Sequence, residues 1–158
     1  MARTQVTIEL SFPSKLGYEK VAREAVGTLA RMMGFDASRV EDLRTALSEA
    51  CINAIEHGNQ RQPQLRIHIA CTVSRNRLVI VVRDAGLRFH PSSQPEAATI
   101  EQKLAGLAAT RGMGLMLIHQ LVDESGFLPS RPGQGNRFRL AIYNPPRRTP
   151  ADAAFPPN

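Results

Sequence analysis

Leu47-Ser-Glu-Ala-Cys-Ile-Asn-Ala-Ile-Glu-His-Gly-Asn59 is the stretch whose reading decides the fold. Apolar residues recur through it and just before it, at Val40, Leu43, Leu47, Ala50 and Ala54, with the spacing of a helix that buries one stripe. Polar residues interrupt that stretch four positions apart. On a 3.6-residue repeat, Glu49 and Asn53 lie one above the other on a single face, with Glu56 close to the same line. A carboxylate and a carboxamide stacked this way offer a proton acceptor and a hard oxygen ligand to the same small site.

The segments on either side have their own periods. Ser38-Arg-Val-Glu41 has the form of a capping box that opens this helix. Upstream, Leu16, Val21, Ala25, Leu29 and Met32 predict a helix that stops at Gly34. Val6, Ile8 and Leu10 alternate as a half-buried strand, ended by Pro13 and Ser14. Downstream, Pro63 ends the helical region, and Leu65, Ile67, Ile69, Cys71 and Val73 alternate strictly. Ser74-Arg-Asn76 makes a turn. The unbroken apolar run from Leu78 to Val82 predicts a central strand covered on both faces.

Residues 90–111 show no period, the mark of a lid or an insertion. A third helix is expected after Gly114, with Leu115, Ile118, Leu121 and Val122 inward. Phe127 and Leu128 form a short strand; Phe138, Leu140 and Ile142 form the last one, after the Pro132-Gly-Gln-Gly135 turn. Alternating strands bury one sheet face, and three helices suffice to cover it. The expected class is therefore α/β, a two-layer sandwich whose mixed, mostly antiparallel sheet carries helices on one face. Residues 1–143 form the domain, and the Pro-rich, patternless residues 144–158 are expected to be a disordered tail.

At 158 residues, with 42% hydrophobic and 22% charged, the chain has the balance of one globular domain. It has no Trp, so the core must be mainly aliphatic. The net charge of +6 comes mainly from Arg and favours acidic partners. These Arg residues are scattered, and the longest basic run is Arg147-Arg148. No helix-turn-helix, zinc-finger or aromatic RNA-binding pattern accompanies them, which argues against sequence-specific nucleic-acid binding. Cys51 and Cys71 sit inside apolar patterns and are expected to be small buried hydrophobes in a reducing compartment. The N-terminal residues lack the apolar core of a signal peptide, and no window has membrane-spanning length, so a cytoplasmic location is expected.

Two glycine-bearing segments complete the chemistry: Asp84-Ala-Gly-Leu-Arg-Phe89 and Arg111-Gly-Met-Gly-Leu115. Phosphoryl transfer requires charge neutralisation, backbone donors around the phosphates, a metal and a group that orients the attacking hydroxyl. Asn53 offers an amide oxygen suited to Mg²⁺, and Glu49 can accept the hydroxyl proton. Gly112 and Gly114 flank Met113 before a helix, whose unpaired N–H groups favour phosphate. Asp84 can accept from an exocyclic amine such as that of adenine, and Gly86 lets backbone approach the ring. Taken singly, each residue has an ordinary role in a helix face, a turn or a cap. His57 by itself is a packing or capping residue, and no second His or Cys at metal spacing supports zinc. Only the ordered combination is distinctive.

That order, Glu-x-x-x-Asn, then Asp-x-Gly, then Gly-x-Gly, then Gly, resembles the GHKL ATPase superfamily with its Bergerat nucleotide-binding fold. Within it, the chain is most similar to the anti-sigma factor serine/threonine kinases. Residues 46–58 resemble their N box; residues 111–118 with Leu121-Val-Asp-Glu124 resemble their glycine box and its helix. The resemblance implies ATP and Mg²⁺ as cofactors, Glu49 as catalytic base and Asn53 as metal ligand. It implies a nucleotide-binding set of Asn53, His57, Asp84, Gly86, Phe89, Arg111, Gly112, Met113, Gly114, Leu115 and Asn136. It also implies serine phosphorylation of an anti-anti-sigma (STAS) partner, sequestration of a sigma factor, and a homodimer with no direct nucleic-acid or membrane contact. Arg23 matches a position used for partner contact. The chain departs from the family pattern at Arg88, where a second glycine is usual, and at Gly135-Asn136, where the pattern is Gly-Thr. The alternative is a non-catalytic, nucleotide-gated protein-binding regulator on the same fold.

Overall fold

The computed structural model describes residues 5–87, 114–131 and 133–145. Five strands are found among them: β1 (Val6–Pro13), β2 (Arg66–Ser74), β3 (Arg77–Arg83), β4 (Glu124–Leu128) and β5 (Arg137–Tyr143). They form one sheet in the order β1-β2-β3-β5-β4. Every pairing among the described strands is antiparallel, so they include no parallel pair of the kind a mixed sheet would contain. Helices α1 (Glu19–Met32), α2 (Ala37–Asn53) and α3 (Gly114–Leu121) bring the architecture to the expected α/β class. The expected lid at 90–111 and all but the first two residues of the expected tail (Asn144 and Pro145) lie outside the described residues.

The strand alternation predicted for β2 and β5 holds. Ile67, Ile69 and Cys71 on β2 and Phe138, Leu140 and Ile142 on β5 are all buried, and they meet the helices from one side. β3 occupies the middle of the sheet, but the two-sided burial expected for it does not occur. Leu78, Ile80 and Val82 are buried, whereas Val79 and Val81 on the other face are only half-buried. Helices covering a single face leave the second face of even a central strand partly open, so an apolar run does not by itself establish burial on both sides. β1 is an edge strand: Phe12 is buried, while Val6 and Ile8, expected inward, are exposed beyond the reach of the helices.

α2 is the central helix of its layer. Val40, Leu43, Leu47, Ala50 and Ala54 are buried as expected, joined by Ala46 and Cys51. Its N-cap lies two residues earlier than the capping box predicts. Asp36 is the N-cap, accepting a hydrogen bond from the Arg39 backbone N–H at 2.9 Å, and Ser38 is already inside the helix. Asp is as good a cap as Ser, and its extended backbone places it where the chain turns in. Arg39 then bonds the Asp123 carboxylate at 2.5 Å; the same carboxylate accepts from Tyr143 N–H at 2.7 Å, tying α2 to β5.

α1 turns a different face inward from the one predicted. Ala22, Val26 and Ala30 are buried, while Val21, Ala25 and Met32 are exposed and Leu29 is half-buried. Gly27 also faces in, against the aliphatic stem of Arg44. The helix carries two candidate stripes, and the one with the smaller residues allows the closer approach of α1 to α2. Gly34 ends it as expected, with φ +82°. Both cysteines are buried and unpaired, and burial pushes the Cys71 thiol up to about 11. No helix among the described residues is long and apolar enough to cross a membrane.

The inward faces set the expected stability effects. Leu43→Ala opens a cavity under α2 and should cost about 2–5 kcal/mol in urea denaturation. Met32→Ala, on the stripe that faces solvent, should change stability by no more than about 0.5 kcal/mol.

Candidate active site

The polar face of α2 is held in place by its apolar face. With Leu47, Ala50 and Ala54 in the core, Glu49 and Asn53 can point only toward the start of α3. Glu49 is half-buried, and Asn53 is buried. A Cβ built on Gly114 would stand 3.2 Å from Glu49 Oε2, 3.5 Å from Asn53 Nδ2 and 3.7 Å from Asn53 Oδ1. The first residue of α3 therefore rests directly on the pair, with the positive end of the helix toward the Glu49 carboxylate. Neither polar atom of the Asn53 side chain has a hydrogen-bond partner among the described residues. A buried carboxamide in that state needs a ligand or water, because desolvation without a partner is costly.

A second cluster surrounds Asp84, just past the end of β3. Its Oδ1 accepts from the backbone N–H of Gly86 at 2.7 Å and of Asn136 at 2.9 Å. The Asn136 side-chain amide donates to both carboxylate oxygens, at 3.1 and 3.0 Å. Asp84 N–H in turn donates to the Asn136 carbonyl at 3.1 Å. Burial pushes the Asp84 carboxyl above the usual carboxylate range, and the hydrogen bonds from Asn136 and Gly86 oppose that rise. Gly86 packs on Gly135, where an added Cβ would meet the Gly135 Cα at 2.7 Å.

The two clusters are parts of one structure. Beyond Asn53 the helix continues as a π-helical turn, Ala54–Gly58, in which the Asn59 N–H reaches the Ala54 carbonyl five residues back. Such turns are uncommon and concentrate at functional sites. The turn carries Gly58 against the Asp84 carboxylate so tightly that a Cβ on Gly58 would overlap it. His57 lies half-buried in the same turn. Leu115 is only 2% exposed within the apolar core, so its side chain is not presented to a ligand. Phe89, Arg111, Gly112 and Met113 lie outside the described residues, as does Arg88.

Asn59 is a further polar residue at this junction, with no motif in the sequence to mark it. It is fully buried; its Oδ1 accepts from Ala85 N–H at 2.7 Å and its Nδ2 donates to the Arg66 carbonyl at 3.2 Å. A polar residue closing an apolar helix carries no distinguishing signal in sequence, since a solvated cap looks the same.

This fold and residue order have known counterparts. Residues 12–142 match the family model of the histidine kinase-like ATPase domain. The serine-protein kinase RsbW of Bacillus licheniformis is 30% identical over 126 residues, covering 78% of this chain and 79% of that protein. RsbW of Bacillus pumilus is 32% identical over 133 residues, with 78% and 79% covered. Among solved structures, the RsbU and RsbW domains of Rv1364c from Mycobacterium tuberculosis match with a TM-score of 0.61 at 18% identity. That match covers 87% of this chain and 32% of the other, and it supports the fold. The chain belongs to the anti-sigma factor serine/threonine kinase family of the GHKL, histidine kinase-like ATPases.

The contact between Gly58 and Asp84 can be tested by a double-mutant cycle. Gly58→Ala should cost about 1–3 kcal/mol through overpacking. Combined with Asp84→Ala it should cost less than the two separate losses together, with a coupling of about 0.5–3 kcal/mol in urea denaturation.

Proposed function

We propose that this protein is an anti-sigma regulatory factor that uses ATP to phosphorylate a serine on an anti-anti-sigma, STAS-type antagonist. The observation that carries this reading is the Asn53 carboxamide, buried and without a partner among the described residues, stacked beside Glu49 under the first residue of α3. Family membership supports ATP as the nucleotide, and the curated relatives are named serine-protein kinases.

In the proposed reaction the serine Oγ attacks the γ-phosphorus. A new O–P bond forms as the bond to the β,γ-bridging oxygen breaks, ADP leaves with that electron pair, and Glu49 takes the hydroxyl proton. Asn53 Oδ1 is a hard ligand that would suit Mg²⁺. When bound, Mg²⁺ neutralises phosphate charge. Asp84, Gly86 and Asn136 hold adenine. Gly114, the Leu115 backbone and His57 face the phosphates; by the family resemblance Arg111, Gly112 and Met113 belong to the same nucleotide-binding set, as does Phe89. The unphosphorylated antagonist competes with a sigma factor for the protein, which works in the cytoplasm as a homodimer and uses Arg23 of α1 in partner contact.

Glu49→Ala should lower phosphoserine formation on the cognate antagonist by about 10²–10⁴-fold. ATP affinity in calorimetry should change by less than about threefold. Unchanged phosphorylation in this variant would overturn the assignment of the base. ATP binding by the wild type with no phosphoserine on any antagonist would favour the non-catalytic regulator.

Asp84 also makes the pH dependence of binding specific. Only the ionised carboxylate is a pure acceptor for an exocyclic amine, and burial raises its pKa. ATP affinity should therefore fall on acidification, beginning at a pH above the ordinary Asp value of about 3.9. Asp84→Asn should remove that titration and weaken binding about tenfold or more, measured by calorimetry across pH.

A further inference from the structure

We infer that Asn59, which touches no nucleotide atom in the reading above, is the positioning residue that makes the site choose a 6-aminopurine over a 6-oxopurine. The inference rests on that nucleotide reading. It is argued from the way the Asp84-Ala85-Gly86 loop is held.

Asn136 grips the loop at the Asp84 carboxylate, from β5. Asn59 grips it one residue later, at the Ala85 N–H, from the end of the α2 segment. The other half of the Asn59 carboxamide is anchored on the Arg66 carbonyl at the first residue of β2. A single buried side chain therefore spans β2 and the loop after β3, and it is continuous in the chain with Glu49 and Asn53. Asn is suited to the task because the bridge needs one donor and one acceptor at a fixed separation.

The backbone after Asn59 is consistent with an imposed position. Gln60 and Arg61 are consecutive non-glycine residues with φ of +50° and +58°, and Arg61 N–H folds back onto the Ile55 carbonyl at 2.8 Å. Left-handed conformations in such residues persist where the surroundings over-determine them, and they gather at functional sites. Here the reversal keeps the chain leaving Asn59 close to the helix end, so that the carboxamide stays turned into the protein.

The consequence for base choice is geometric. A carboxylate held still as an acceptor bonds an exocyclic amine and repels an exocyclic carbonyl. A site built to hydrogen-bond one group rejects the analogue lacking it far more strongly than a purely apolar pocket does. If the loop can shift or hydrate, that rejection is lost although Asp84 itself is intact.

The test uses the full chain and two probes that differ at the 6-position of the base, ATP and inosine triphosphate. Dissociation constants are measured by calorimetry, with thermal unfolding in parallel. The wild type should favour ATP by at least about tenfold. Asn59→Leu keeps similar volume and removes both bonds; it should bring the ratio to within about threefold, chiefly by weakening ATP. Asn59→Ser, too short to span both partners, should shift the ratio the same way and serves if the Leu variant does not fold. An unchanged ratio in the folded variants, with both affinities reduced together or retained, would make Asn59 a structural brace and overturn the inference. Equal binding of the two nucleotides by the wild type would overturn it alone. A wild type that binds neither removes the nucleotide reading itself.

Discussion

The Asp84 carboxylate is the constraint on which the rest of the structure depends. A buried charge cannot be closed over by protein until its oxygens have donors, because the desolvation cost exceeds what packing returns. Among the described residues, Asn136 donates three hydrogen bonds to that carboxylate and Gly86 one. Meeting that need brings the turn before β5 against the end of β3. The room left on the other side is so small that only a glycine, Gly58, fits at the end of the α2 segment. One acid therefore sets how the end of β3, the turn before β5 and the helix terminus come together.

From that junction the position of the candidate chemistry follows by rigid continuation. Asn53 lies one π-helical turn before Gly58, and Glu49 one α-helical turn before Asn53. The apolar side of α2 is locked into an aliphatic core, so rotation of its polar face would expose Leu43, Leu47 or Ile55, each fully buried. The face that carries Glu49 and Asn53 is oriented by the burial of the opposite, apolar face of α2. α3 then lays its first residue across them, and the lack of a side chain at Gly114 sets how closely it can do so.

The regions that depart from sequence expectation are those where size or sidedness, and not polarity, selects the answer. α1 offers two apolar stripes. Ala22, Val26 and Ala30 go inward because the narrower stripe permits the closer packing against α2, leaving Val21 and Met32 in solvent. β3 carries an unbroken apolar run, yet the described helices lie on one side of it, and Val79 and Val81 remain half-buried. At the start of α2 two capping residues stand within three positions, and Asp36, with extended backbone and its side chain accepting from the Arg39 N–H, is the one used.

Much of the architecture was legible from local pattern: the alternation of β2 and β5, the inward face of α2, the stop at Gly34 and the two-layer arrangement. The stacking of Glu49 over Asn53 was legible for the same reason, since helical periodicity alone puts residues four apart on one face. The order of the glycine and acidic motifs was enough to place the chain in its family. The π-helical turn, the bridge made by Asn59, the grip of Asn136 on both Asp84 oxygens and the glycine contact at Gly58 were not legible. The bridge, the grip and the glycine contact depend on how separate elements approach, and the π-helical turn differs from an α-helical one only by one residue of hydrogen-bond register; none of these has a signature in local pattern. Sequence by itself determined which residues share a face. Tertiary structure decided which faces meet and how near, because that is settled by the competition among all the side chains for one buried volume.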